Sequence, residues 1–148
     1  MSFRDTFGRN ININNNIRDR YKILQNGFIF RNNIDDKKVR DYKYIFMLCL
    51  ALGYKNKSKI PVNDPIGLLN VNSFDDDDLW IIAAIAIEEK NDIEVLNDSL
   101  EMKRIATEYA HGGLKDLEDL VADYGSDESL ELVLEKQAKE VLDSIKKE

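Results

Sequence analysis

Residues 79–87 read LWIIAAIAI, nine apolar residues without a break. A helix that is apolar on every side is buried, so this stretch predicts a central helix of the fold. Ser73 is its expected N-cap, and the run Asp75–Asp78 follows in the first turn, where carboxylates stabilise the positive end of the helix dipole. The alternative, a magnesium or calcium site, is disfavoured because consecutive helical residues point in different directions and the calcium-loop spacing is absent.

A second central helix is predicted over Val39–Leu52, with Asp35 and Asp36 at its start and Gly53 at its end. Its apolar residues recur at helical spacing, and its last turns are apolar all round. We expect this helix to pack directly on the helix that contains residues 79–87. Cys49 lies in its apolar face and is the single cysteine, so it forms no internal disulfide and fits a reducing compartment.

Residues 99–124 carry an apolar stripe at spacings of three and four, which predicts one long helix. The stripe is made of Met102, Ala106, Ala110, Gly113, Leu117, Leu120 and Tyr124. It continues through Gly112-Gly113, where a kink or bend is expected. Glycine costs roughly 1 kcal/mol relative to alanine inside a helix. We therefore expect another backbone to pass close to Ala110, Gly112 and Gly113.

The remaining segments predict smaller elements around these helices. Residues 1–16 are rich in asparagine and predict a disordered tail, and residues 17–25 predict a short helix. The connection 54–73 predicts a small hairpin between residues 60–62 and 66–71. Residues 126–145 predict a last amphipathic helix, with an apolar stripe from Leu130 to Ile145. The expected fold is all-α, or mainly α with a minor hairpin: one compact domain over residues 17–148, a bundle of five to six helices around the two central ones.

Composition excludes several functional classes. An apolar run of nine residues, such as Tyr44–Leu52, is too short to span a bilayer, and the N-terminus lacks a signal-peptide core, so a cytoplasmic protein without membrane contact is expected. His111 is the single histidine, with Glu108 one turn away and no nucleophile at matching spacing. A surface or hinge histidine is therefore favoured over a catalytic one. We predict no catalytic residue, no metal site and no cofactor.

The charge of the chain changes sign along its length. Residues 1–74 hold 13 Lys/Arg and 6 Asp/Glu, a net charge of +7, and residues 75–148 hold 8 and 22, a net charge of −14. Such asymmetry indicates a charged partner rather than a fold. The candidate docking residues for a protein partner or for DNA are Arg18, Arg20, Lys22, Lys37, Lys38, Arg40, Lys43, Lys55, Lys57 and Lys59. Protein docking is favoured, because the net charge of −7 opposes unassisted DNA binding.

Three stretches of the chain resemble one small family. They are Arg18-Asp19-Arg20-Tyr21, the stretch from Phe46 to Tyr54 with its following Lys-rich turn and Ile60-Pro61, and Glu108-Tyr109-Ala110-His111-Gly112-Gly113-Leu114. In this order and at these separations, between Arg18 and Tyr124, they are similar to the Dnd system-associated protein 4 family, also called DNA phosphorothioation-associated protein 4. The asparagine-rich start and the acidic last helix fall outside the resemblance.

The resemblance implies a bacterial or archaeal protein that accompanies DNA phosphorothioate modification and anti-phage defence, a form of restriction–modification. It implies a non-enzymatic accessory or adaptor subunit that binds a larger protein, an ATPase or a nuclease, with DNA contacted only inside the complex. The alternative is a small DNA-binding regulator that uses the basic half directly. The oligomeric state is left open, a dimer included.

Overall fold

The structure is a computed structural model that describes residues 3–25, 42–124, 139–140 and 142–143. Its elements are strand β1 (Asn10–Asn14), helices α1 (Arg18–Gln25) and α2 (Tyr42–Asn56), strand β2 (Pro65–Asn70), and helices α3 (Asp76–Lys90) and α4 (Ser99–Tyr124). Short 3-10 turns are Arg4–Phe7, Asn15–Ile17, Val71–Ser73 and Ile93–Asn97. The prediction of a mainly helical fold is confirmed, with four helices in the described part of the chain. The first residues of the predicted 39–52 helix and most of the last helix lie outside the described residues.

Helix α4 is the central element of the fold. Helix α2 packs along it most extensively, and α3, β1 and the turn before α4 also contact it. The predicted direct packing of the two most apolar helices is not the main contact of either one, since α2 and α3 each pack mainly against α4, although Lys43 of α2 pairs with Asp78 of α3. Their apolar residues nevertheless join one core, in which Phe46, Leu79 and Ile82 are completely buried.

The α2–α4 crossing is a contact between two backbones. A Cβ atom on Gly113 would overlap the carbonyl oxygen of Cys49, and a Cβ atom on Gly53 would overlap the carbonyl oxygen of Tyr109. A Cβ atom on Gly112 would overlap the carbonyl oxygen of Ser58 in the loop after α2. Helix α4 runs through both glycines without interruption, so the predicted continuity and close approach are confirmed.

Gly53 does not end α2 as predicted, because it is needed inside the helix for this crossing. The helix ends at Asn56, followed by Lys57 in the left-handed conformation, with φ of 52°. The Ser58 N–H donates to the Gly53 carbonyl at 2.9 Å, and the Lys57 N–H donates to Tyr54 at 3.2 Å. This pair of bonds is the usual arrangement at a left-handed helix end, although glycine is the residue most common there.

Residues 3–17, here called the N-terminal strap, belong to the core. This differs from the disordered tail expected at residues 1–16. Strand β1 pairs antiparallel with β2, with Ile11 opposite Leu69 and Ile13 opposite Ile66. Phe7, Ile11 and Ile13 are completely buried. The reason is the strict alternation of isoleucine and asparagine over Asn10–Asn14, which gives a strand one apolar face.

The predicted hairpin between residues 60–62 and 66–71 is wrong, because the strand that pairs with β2 comes from the strap. The predicted N-cap of α3 is also wrong by two residues. Ser73 ends a 3-10 turn, and Asp75 caps the helix in a reciprocal capping box with Asp78. The expectation that the aspartate run stabilises this helix start is confirmed for these two residues.

Candidate docking surface and the surroundings of His111

Among the residues that the structure describes, six ion pairs connect the basic half of the chain to the acidic half. They are Arg4–Asp76, Arg20–Glu118, Lys43–Asp75, Lys43–Asp78, Lys55–Glu140 and Lys59–Glu89. In each of them the cation comes from residues 1–74 and the carboxylate from residues 75–148. Some of the cations behind the charge asymmetry of the sequence are therefore paired within the molecule.

The sequence predicts Lys43 on a docking surface, but the structure corrects this, because Lys43 is buried and has a structural role. It is 8% exposed, and its Nζ lies 2.8 Å from Asp78 Oδ2 and 3.7 Å from Asp75 Oδ2. Burial is the largest single effect and disfavours the charged form, but the hydrogen bond to Asp78 and the charges of Asp78 and Asp75 together outweigh it, and the pKa of Lys43 is raised. The ion pair thus joins the first turn of α2 to the capping box of α3.

Arg20 and Lys59 are also held by carboxylates of the acidic half. The Arg20 guanidinium donates from Nε to one oxygen of Glu118 at 3.0 Å and from Nη2 to the other at 2.5 Å. Such bidentate pairs fix geometry as well as charge. Lys59 Nζ donates to Glu89 Oε1 at 2.5 Å, and this hydrogen bond holds the pKa of Glu89 below its usual value. Tyr109 donates its hydroxyl to the other oxygen of Glu89, also at 2.5 Å.

Three candidate docking residues have no ion pair with any residue that the structure describes: Arg18, Lys22 and Lys57. Arg18 and Lys22 are exposed and stand four residues apart on α1, so they share one helix face. Beside them Ile23 is 70% exposed. Lys57 Nζ lies 3.7 Å from the centre of the Tyr54 ring. Lys37, Lys38 and Arg40 lie outside the described residues.

His111 is buried, which corrects its predicted place at a surface or hinge. It is 2% exposed, and its Nε2 accepts a hydrogen bond from the Asn14 N–H at 3.3 Å. Its Nδ1 is buried and makes no hydrogen bond of normal geometry to a described residue, although the main chain of Ile60 and Pro61 lies close enough to raise the pKa of the ring against the effect of burial. Burial is the largest cause that lowers the pKa of His111. The imidazole is consequently neutral near pH 7, because only the neutral ring can accept a bond at Nε2.

Asn14 joins β1 to the loop after α2. Its side-chain Nδ2 donates to the Pro61 carbonyl at 3.0 Å, and its Oδ1 accepts from the Asn63 N–H at 2.8 Å. Together with its N–H bond to His111, this makes Asn14 a buried polar link between the strap, the loop and α4. Because His111 Nε2 accepts from the Asn14 main chain, the arrangement is suited to fixing the chain rather than to proton transfer.

His111 is one of three α4 side chains that bind the strap main chain; we call Lys103, Thr107 and His111 the α4 ladder. The hydrogen bonds run from Lys103 Nζ to Phe7 O (2.8 Å) and Asn10 O (3.2 Å), from Thr107 Oγ1 to Asn12 O (3.2 Å), and from Asn14 N–H to His111 Nε2 (3.3 Å). The sequence analysis missed Lys103 and Thr107. Their spacing of four residues from each other and from His111 is the signal that could have found them, since it places all three on one face.

The stretch 108–114, which carries the family resemblance most specifically, has a structural role at most positions. Tyr109 binds Glu89, His111 binds the strap, and Gly112 and Gly113 admit other backbones. The Glu108 carbonyl accepts from the Ile60 N–H at 3.0 Å. The motif therefore describes how α4 receives its neighbours.

The described residues hold no group of three or more His, Cys, Asp or Glu side chains that could bind a metal ion. No helix among them has the length and apolar character needed to span a bilayer. Cys49 is buried, and burial raises the pKa of its thiol, so the reactive thiolate is suppressed. The described part is a small helical protein with one apolar core, ion pairs between its two halves and exposed cations on α1.

A family model for DNA sulphur modification system-associated protein 4 matches residues 32–147. The chain belongs to this family. The match includes the acidic C-terminal segment, which the sequence resemblance had left out, and it begins after Arg18-Asp19-Arg20-Tyr21, which the resemblance had included. Comparison with curated proteins and with solved structures returns no match.

Proposed function

We propose that this protein is a non-catalytic accessory subunit of a DNA phosphorothioation-linked modification and anti-phage defence system. It acts as an adaptor through protein–protein contacts. The observation that carries the proposal is the family match over residues 32–147, whose description is that of a system-associated protein. The contacts of residues 108–114 support a non-catalytic role, because these residues bind other parts of the chain.

The proposed docking surface is the exposed face of α1, with Arg18, Lys22 and the side chain of Ile23. The two cations have no carboxylate partner among the described residues, and an exposed aliphatic side chain beside them offers apolar contact area. Exposed charges of this kind steer a complementary surface and raise the association rate. The partner is proposed to be a larger, locally acidic protein of the same system, an ATPase or a nuclease. Lys37, Lys38 and Arg40 remain part of the proposal.

Direct DNA binding by the isolated protein is less well supported. Arg20, Lys43 and Lys59 already have carboxylate partners, so they release few counterions on meeting a phosphate backbone. In this proposal DNA is contacted only within the complex.

The test is affinity purification of the tagged protein from its native host, with co-purifying proteins identified by mass spectrometry. The expected result is recovery of other proteins of the phosphorothioation system. The double variant Arg18→Glu/Lys22→Glu is expected to lose that recovery. The matched control Lys115→Glu/Lys139→Glu makes the same change in net charge on exposed residues of the acidic half and is expected to keep it. Equal recovery from both variants would exclude the α1 face, and recovery of no system protein would reject the adaptor function.

A further inference from the structure

The N-terminal strap lies in a groove that recognises it as an extended chain. On one side the edge of β2 pairs with β1. On the other side the α4 ladder binds main-chain groups of the strap at Phe7, Asn10, Asn12 and Asn14. Main-chain recognition of this kind is the mode by which proteins bind an added strand.

Apolar anchors complete the recognition. Phe7, Ile11 and Ile13 are each completely buried against the core. In strand addition, main-chain hydrogen bonds supply affinity, and pockets for alternate side chains supply specificity. The groove is therefore specific for this strap, but none of its contacts depends on whether strap and groove belong to the same molecule.

The chain has the length needed to bring a strap to a second molecule. The strap and α1 are joined to α2 by residues 26–41, and sixteen residues span at most about 55 Å when fully extended. Exchange of an identical element between two copies forms a dimer with contacts that the monomer already contains.

We propose that the groove between α4 and β2 also binds the strap of a second copy of this chain, so that two molecules associate by reciprocal strand exchange. This proposal does not depend on the adaptor function. It assigns to the strap, which lies before the family-matched residues 32–147, a role in self-association.

The test uses the full-length double variant Asn10→Cys/Asn70→Cys. These two exposed residues are direct partners in the β1–β2 register. Opposed residues of antiparallel strands have Cα atoms about 4.5–5.5 Å apart, a separation that a disulfide can bridge. Equal amounts of unlabelled and ¹⁵N-labelled protein are mixed under reducing conditions, incubated at several concentrations and then oxidised. Mass spectrometry of the digest reports whether positions 10 and 70 are linked within one chain or between chains.

The expected result is a covalent dimer in which position 10 of one chain is linked to position 70 of the other, in a fraction that rises with protein concentration. Protein oxidised before mixing is expected to give only linkages within one chain. The control Asn10→Cys/Glu94→Cys, with exposed residues that are not strand partners, measures random collision. Linkages only within one chain at every concentration, or an intermolecular yield no greater than that of the control, would overturn the proposal. Cys49 does not interfere, because its thiol is buried.

Discussion

Helix α4 contacts two of its neighbours, α2 and the strap, in opposite ways. Towards α2 it has Gly113, and the contact exists because a side chain is missing. Towards the strap it has the α4 ladder, and the contact exists because three polar side chains reach main-chain groups. The contact with α2 leaves almost no room for an added atom. The contact with the strap is divided among separate hydrogen bonds, each of which contributes to stability. The same helix thus has one face set by shape and another set by hydrogen bonding.

The largest effect on stability is expected at Gly113, on the face of α4 that packs on α2. Gly113→Leu places a side chain where the Cys49 carbonyl oxygen already lies, so the helices must separate. We expect a loss of more than about 3 kcal/mol in the free energy of unfolding, measured by urea denaturation. In the control Gly67→Ala, the nearest atom to the new Cβ is a flexible side-chain atom of Asn10 at 3.1 Å, and the loss should be small. Equal losses in the two variants would contradict the backbone contact.

A smaller effect is expected when the ladder loses His111. His111→Leu leaves the buried Asn14 N–H without its acceptor, which costs about 1–3 kcal/mol. Hydrogen exchange should show faster exchange at the Asn14 amide, with the amides of the α2–α4 crossing protected as before. If protection at the crossing were lost to the same extent, the two faces of α4 would not be independent.

The pH dependence of stability follows from the lowered pKa of His111. In the unfolded chain the histidine binds a proton near pH 6.5, whereas the folded protein resists protonation, so its contribution is fully present above about pH 6.5. That contribution is lost as the pH falls from 6.5 towards the lower pKa of the folded state. The nearby charged groups, Glu108 and Arg20, act in opposite directions on this pKa.

We expect the free energy of unfolding to decrease between pH 7 and pH 5 in the wild type, and the decrease to be smaller in His111→Leu. Chemical denaturation at each pH is the measurement. The paired carboxylate of Glu101 contributes little to the slope between pH 7 and pH 5, because its stabilisation is lost only as the pH falls below its unfolded-state pKa of 4.5. If the free energy of unfolding of His111→Leu fell with pH as steeply as that of the wild type, the titrating group would be a different residue.

The smallest effect is expected at Thr107. Thr107→Val keeps the shape of the side chain and removes the bond from Oγ1 to the Asn12 carbonyl at 3.2 Å. The expected loss is about 1 kcal/mol, since a single neutral hydrogen bond contributes roughly that much. Combining Thr107→Val with Gly113→Leu should give additive losses, because the contacts described for Thr107 and Gly113 have no residue in common. A coupling energy above about 0.5 kcal/mol would show that the faces communicate.

The face of α4 that packs on α2 was predictable from the sequence, whereas the face that carries the α4 ladder was not. Gly113 falls in the apolar stripe of α4, where a costly glycine signals a close neighbour, although the pattern does not show that Gly53 is the reciprocal glycine. The ladder depends on contacts between residues 93 to 97 positions apart, which no local pattern reports. Helix periodicity located the described parts of α2, α3 and α4, because period and burial are local properties of a helix.

The strap and the cations show why composition can mislead. The asparagines of residues 10–16 suggested disorder, yet the alternation with Ile11 and Ile13 was a readable strand pattern. The charge asymmetry suggested docking, but Lys43 and Arg20 are held by carboxylates that follow them by 35 and 98 residues. A count of charges does not show which cations the fold itself pairs.

The six ion pairs between the halves also bear on how the chain folds during synthesis. The basic half leaves the ribosome first, and its carboxylate partners follow it. Asn14 is synthesised 97 residues before its partner His111. At about 5–20 residues per second, the time between them is roughly 5–20 s. When the first 74 residues have been made, the nascent chain carries a net charge of +7 and exposes the apolar side chains of the strap beside ribosomal RNA of opposite charge. The arrival of α4 ends that exposure, since this helix carries the ladder, the glycines and Glu118 together.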